Sequence, residues 1–104
     1  MSWVFLVLAG ILEIVWAFAM KQSAGFTRLV PTAIMVAAMF GSFALLALAM
    51  RSLPLGTSYM IWTGIGAVGA FVVGVVFLGE ALTAQRAIAA TLIVAGMVTM
   101  KMAN

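Results

Sequence analysis

A single carboxylate, Glu13, lies inside the otherwise apolar stretch from Ala9 to Met20. An ionisable group near the middle of a membrane-length segment costs free energy unless it faces a cavity or a partner, so it indicates a functional site. Every lysine and arginine lies at the end of an apolar stretch, and none can neutralise Glu13 from within the chain. The neutralising charge must then be a proton or a cationic substrate. The alternative is a protonated carboxyl that only packs against its neighbours.

Small and aromatic residues share the helical face of Glu13. Side chains three and four positions away lie on the same face, and here they are Ala9, Gly10, Trp16 and Ala17. Three of the four are small and leave room beside the carboxylate. Trp16 adds an aromatic ring, which attracts cations, although tryptophan in membrane helices is more often an interfacial anchor. This face of the helix suits a cation.

Two later segments bring further polar groups to membrane depth. Ser42 is the one hydroxyl in the middle of the second apolar segment, and a lone serine often only bonds its own backbone. In the third segment Tyr59, Trp62, Thr63 and Gly66 recur at spacings of three and four, so they share a helical face. These groups indicate a second polar face that could meet the one around Glu13.

The composition defines the class of protein that carries these residues. Of the 104 residues, 67% are hydrophobic, and the mean hydropathy is +1.34, so a soluble fold could not hide the apolar surface. The five basic residues are scattered, which argues against nucleic-acid binding. Without cysteine or histidine, neither thiol chemistry nor a metal site is expected, and no cofactor or enzymatic activity is indicated. The sequence predicts an integral membrane protein.

Charges and turn residues divide the chain into four apolar spans in one domain, residues 1–104. We predict membrane helices at about residues 3–20, 29–50, 58–78 and 87–101, the last slightly short for a bilayer. The predicted fold class is all-α. Glu80, in the third loop, is interpreted as an interfacial charge beside Arg86.

Small residues on two of the spans predict close helix contacts. Gly66, Ala70 and Gly74 recur every four residues, as do Thr91, Ala95 and Thr99. Four short helices cannot enclose a substrate path alone, so we assign the second ridge to oligomerisation. Packing within one chain is the alternative for either ridge. The residues assigned to helix packing or bending are Gly64, Gly66, Gly69 and Gly74, and those assigned to dimerisation are Thr91, Ala95, Gly96 and Thr99.

The basic residues give almost no signal for orientation in the membrane. With alternating spans, Lys21, Arg28 and Arg86 lie on one side, and Arg51, Lys101 and the amino terminus lie on the other. An excess of basic residues normally selects the cytoplasmic side. We therefore expect insertion in both orientations and a dimer of opposite orientations, although so small a sample could also balance by accident.

The ordered set of motifs resembles the small multidrug resistance family, and in particular its guanidinium exporter subtype. The resemblance covers the whole chain. It rests on Glu13-x-x-Trp16, Lys21, "GFTRL" (25–29), Ser42, "LPLGTSY" (53–59), "WTGIGAVGA" (62–70), "LGE" (78–80) and Lys101. The chain differs from the subtype at Gln22, where an aromatic residue is more common, and at Ser58 and Met60, where alanines are more common.

The resemblance implies an antiparallel, dual-topology homodimer that exchanges protons for guanidinium cations in a prokaryotic inner membrane. Glu13 of both subunits would form the shared site, and Trp16, Ser42, Tyr59 and Trp62 would line it. A broader exporter of quaternary ammonium or multidrug cations is an alternative. So is a membrane scaffold subunit without transport activity, although a scaffold has no need of an unpaired acid at that depth.

Overall fold

The computed structural model describes residues 1–103, which form four α-helices and contain no β-strand. The helices are α1 (Ser2–Gln22), α2 (Leu29–Ala49), α3 (Leu55–Phe77) and α4 (Ala84–Met102). The all-α prediction is confirmed. Both α3 and α4 begin three residues earlier than the spans predicted from the sequence.

The early start of α3 and α4 follows from their N-terminal residues. Pro54 is the N-cap of α3, and its extended backbone directs the chain into the helix at Leu55. Thr83 caps α4, where its hydroxyl accepts a hydrogen bond from the Arg86 amide at 3.1 Å. These first turns are polar or exposed, so hydropathy alone places the helix starts too late.

Three of the helices, α1, α2 and α3, are long and apolar enough to cross a membrane, judged by length and composition. The fourth helix has Gln85 and Arg86 in its first turn and Lys101 in its last turn, which shortens its apolar part. Most large apolar side chains of the bundle point outward, as expected for helices that face lipid.

The helices form a thin slab of 40 × 34 × 16 Å. Helix α1 packs against both α2 and α3, and α4 packs against α3 at one edge. The apolar core lies between α1, α2 and α3, near the end of the bundle that holds the amino terminus. Its buried members are Leu6, Ala9, Leu46, Ala49, Ile61 and Trp62.

Candidate functional site

The Glu13 side chain lies between α1 and α3, against Gly66. A Cβ atom at Gly66 would coincide with the Glu13 carboxylate, so only glycine leaves room for the carboxylate in this position. The Oε1 atom of Glu13 is buried and has no hydrogen-bond partner among residues 1–103. Lys21 lies eight residues further along α1, about 12 Å by helix rise, and the carboxylate is therefore free to take up a proton or an external cation.

A hydrogen-bonded node one turn from Glu13 joins three helices. The Trp62 indole N–H on α3 donates to the Ser42 hydroxyl on α2 at 2.9 Å. The Ser42 hydroxyl in turn donates to the Ala9 carbonyl on α1 at 2.6 Å. Ser42 is fully buried and Trp62 is nearly so. In this arrangement the only proton of the Ser42 hydroxyl goes to Ala9, so Ser42 positions α1 and Trp62 and does not donate to Glu13.

Aromatic rings surround Trp62 on its outer side. The Tyr59 ring meets Trp62 edge-on with centroids 5.2 Å apart, and the Phe43 ring lies 5.9 Å away. Tyr59 remains 54% exposed, which leaves part of its ring available to a ligand or a second chain. Phe43 could not be predicted from the sequence, because it follows Ser42 directly and lies on a neighbouring helical face, so no spacing signal connects it to the site.

Trp16 and Gly10 occupy different environments from the open face predicted around Glu13. Trp16 packs against the apolar core, and its indole N–H is buried without a hydrogen-bond acceptor in the described part of the chain. The space above Gly10 is filled by Ile65 of α3. In the single chain Gly10 therefore allows close contact between α1 and α3. The Trp16 indole N–H, one turn from Glu13, remains available as a hydrogen-bond donor.

Four of the five glycines of α3, all except Gly56 in its first turn, permit close approach of a side chain. A Cβ atom at any of them would meet a neighbouring residue: Met97 at Gly64, Glu13 at Gly66, Ile14 at Gly69, and Glu80 at Gly74. These contacts use both α1 and α4 as partners. Helix α1, helix α4 and the turn that holds Glu80 thus all pack against α3.

The ridge on α4 faces outward in the single chain. Its two threonine hydroxyls donate to carbonyls of their own helix, Thr91 to Ala87 at 2.8 Å and Thr99 to Ala95 at 2.7 Å. A Cβ atom at Gly96 would meet nothing within 4 Å, and no residue of α4 is buried. The prediction that this ridge forms a dimer contact remains a prediction.

The chemistry available within residues 1–103 is that of one deep carboxylate with hydroxyl, indole and aromatic neighbours. These residues hold no group of three His, Cys, Asp or Glu side chains that could bind a metal ion. Four apolar helices around a membrane-depth acid define a multi-pass membrane transport protein.

Comparison with known proteins gives the family. The family model described as Small Multidrug Resistance protein matches residues 1–93, and the chain belongs to this family. A protein named Guanidinium exporter from Escherichia coli (strain K12) is 53% identical over 104 residues, which cover 100% of this chain and 99% of the relative. The proteins of the same name from Citrobacter freundii and Salmonella typhimurium are 52% identical with the same coverage. The chain is a bacterial inner-membrane transporter and not an enzyme.

Proposed function

We propose that this protein is a proton-coupled antiporter that exports guanidinium and small substituted guanidinium cations. The observation that carries the proposal is the Glu13 carboxylate, which is placed in the middle of α1 with a buried oxygen that no group of the described chain satisfies. Relatives that are 52–53% identical over the full length and named Guanidinium exporter support the choice of substrate.

Exchange follows from the requirement that Glu13 be neutral at membrane depth. A bare carboxylate in this environment is costly, so a proton or a cation must accompany it. The proton and the cation compete for the same carboxylate, so binding of the cation displaces the proton. Proton entry from the other side of the membrane then displaces the cation, which couples the two movements.

The chemistry of the site favours a planar cation with donors around its edge. Guanidinium offers a rigid fork of N–H groups that matches the two oxygens of a carboxylate. Ser42 and Trp62 are held in one arrangement by their hydrogen bond, so they form a fixed wall one helical turn from Glu13. The exposed ring of Tyr59 offers an aromatic surface to the same cation.

A functional unit of two antiparallel copies is part of the proposal. One copy is a slab only 16 Å thick, too thin to surround a substrate path. An opposite orientation of the second copy would supply the inverted symmetry on which many transporters depend. The exposed α4 ridge and the open space at Gly96 are available for the contact between copies.

The alternative of a broader quaternary ammonium exporter has its own supporting observation. An apolar groove of about 600 Å³ between α3 and α4 is lined in part by Tyr59, Met60 and Thr63. Such a groove would admit apolar substituents that a narrow guanidinium site excludes. The scaffold alternative receives no comparable support, since it leaves Glu13 without a role.

The test is to record transport currents from reconstituted protein on a solid-supported membrane. We expect currents with guanidinium and much smaller currents with a bulky tetraalkylammonium. Glu13→Gln keeps the shape of the side chain and removes its charge and its titration, so coupled currents should disappear. Elution of the variant in detergent at the wild-type position controls for folding and assembly. Export of guanidinium against its gradient by Glu13→Gln would refute the mechanism, and larger tetraalkylammonium currents would select the broader exporter.

A further inference from the structure

The contact between α1 and α3 continues from Glu13 to the end of both helices. These helices run in the same direction, and Glu13, Ala17 and Lys21 recur on α1 every four residues. Small residues recur with the same period on α3, at Gly66, Ala70 and Gly74. We call this contact the α1–α3 seam. It begins with the Glu13 carboxylate on Gly66 and leads towards the membrane surface.

A small cavity lies on the outer part of the α1–α3 seam. Its volume is about 140 Å³, and its lining includes Ala17 and Lys21 of α1, Ala70 of α3, and Glu80 of the following loop. At roughly 30 Å³ per water molecule, this space holds a few waters or one small planar cation. The cavity brings Glu80, the only other carboxylate of the chain, onto the same seam as Glu13.

The local backbone fixes Glu80 over the cavity. Gly79 has a φ of +69°, a left-handed conformation that turns the chain back over the end of α3. The amides of Leu78 and Glu80 both donate to the Gly74 carbonyl, at 3.1 and 3.0 Å. The Glu80 carboxylate then lies where a Cβ atom of residue 74 would be, so only glycine at that position permits this placement.

Stability of the helix does not explain an acid in this position. The C-terminal end of a helix carries a partial negative charge, which favours basic residues and disfavours acidic ones. Both α1 and α3 end beside the cavity, so Glu80 adds a full negative charge to two partial ones. The Arg86 guanidinium donates to the Ala81 carbonyl at 3.5 Å, and no ion pair between Arg86 and Glu80 is present within residues 1–103.

The charges around the cavity suit a cation that binds and leaves again. Lys21 is the one basic residue in the cavity lining, and its charge opposes that of Glu80. The two helix ends leave the balance negative. Arg28, at the start of α2, is exposed and is not part of the lining. A cation moves on to a deeper site only if the outer site binds it weakly enough to release it.

We propose that the seam cavity is an outer cation site, in which Glu80 captures a guanidinium-type cation at the membrane surface before or after it occupies Glu13. The proposal rests on the proposed function and adds a second station to it. Glu80 increases the local concentration of the cation, and Lys21 limits how long the cation stays. The outer site thereby affects the apparent KM more than the maximal rate.

The first experiment measures guanidinium-evoked currents at low ionic strength for Glu80→Gln and Lys21→Gln. Glu80→Gln should raise the apparent KM about fivefold, the effect of one unit charge about 4 Å away in water, and leave the current at saturating guanidinium unchanged. Lys21→Gln should lower the KM. Both changes should shrink at high salt, because the screening length falls to a few ångströms.

A relocation variant separates the position of the charge from its amount. Glu80→Gln combined with Gln85→Glu moves the carboxylate to an exposed position in the first turn of α4, outside the cavity lining. The net charge and the length of the loop are unchanged. This variant should behave like Glu80→Gln. A wild-type KM in Glu80→Gln, or its full recovery in the relocation variant, would overturn the outer site.

A binding measurement distinguishes failure of this inference from failure of the proposed function. In the Glu13→Gln protein only the outer site remains, so titration with guanidinium chloride should shift the backbone amide resonances of Gly79 and Glu80. Equal sodium chloride should not shift them, and neither should guanidinium when Glu80→Gln is added. Absence of the shift rejects the outer site even where wild-type transport is normal. Its presence supports the outer site even if coupled export fails.

Discussion

At the scale of single residues, Ser42 has the most demanding role. Its hydroxyl accepts from Trp62 and donates to Ala9, which uses its proton and one lone pair in joining three helices. A serine that bonds only its own helix could be replaced with little effect. Because both partners of Ser42 belong to other helices, the hydroxyl instead fixes α1, α2 and α3 relative to one another, one helical turn from Glu13.

Ser42→Ala should weaken guanidinium binding about fivefold, equivalent to about 1 kcal/mol for one hydrogen bond. The Trp62 N–H loses its acceptor in a buried environment, so the melting temperature in detergent should also fall. The measurements are the transport KM and thermal unfolding of purified protein. Thr32→Val is the matched control, since the Thr32 hydroxyl only donates to the Arg28 carbonyl of the preceding turn. Equal effects of the two variants would contradict the role of the Ser42 node.

At the scale of elements, α3 is the helix on which the site is built. Four of its glycines leave space for side chains of other segments. These side chains are Glu13 and Ile14 of α1, Met97 of α4, and Glu80 of the turn that follows α3. Glycine inside a helix normally costs stability relative to alanine. At positions 66 and 74 glycine is needed despite this cost, because the Glu13 and Glu80 carboxylates occupy the space that a larger side chain would fill.

Gly66→Ala tests the contact between α3 and Glu13. The added methyl group meets the flexible end of the Glu13 side chain, so the helix should fold while the carboxylate is displaced. We expect the apparent KM for guanidinium to rise about tenfold, or about 1.4 kcal/mol. Gly56→Ala on the same helix is the control, because a Cβ atom there meets nothing within 4 Å. It should retain wild-type transport and equal or greater stability, and a Gly66→Ala protein with the same properties would place Glu13 elsewhere during transport.

At the scale of the whole molecule, the thin shape and the charge distribution both bear on whether two copies in opposite orientations form the functional unit. A slab of 16 Å cannot by itself enclose a substrate path. The side of the bundle on which α1 and α3 end carries three basic residues, and the opposite side carries two and the amino terminus. Neither side has the excess that would favour one orientation. Both properties fit a dimer built from one chain in two orientations.

The topology is tested by biasing it with added lysines. Two lysines appended to the C-terminus should drive most chains into one orientation. Ala24→Lys with Phe26→Lys, at two exposed positions of the first loop, should favour the other orientation. Each biased protein alone should be inactive in guanidinium transport, and co-expression of the two should restore activity. Full activity of either biased protein by itself would indicate a parallel assembly.

The amino-acid sequence was enough to predict membrane helices and to identify Glu13 as the candidate functional group. Both follow from local properties, namely runs of apolar residues and one acid within a run. The same apolarity on all sides of each helix removes the signal that would orient it, because an amphipathic pattern is what reveals a buried face. Rotation and register of the helices were therefore beyond sequence reasoning.

Contacts between groups that lie far apart in the sequence are visible only in the folded chain. Ser42 joins Ala9 and Trp62 across separations of 33 and 20 residues, and no spacing rule connects such positions. The placement of Glu80 likewise depends on the left-handed turn at Gly79, which reverses the chain over Gly74 and the seam cavity. The sequence alone favours an interfacial charge at Glu80, beside Arg86 six residues away. The fold instead places it on the seam that leads to Glu13, because backbone geometry and not proximity in sequence sets where a carboxylate lies.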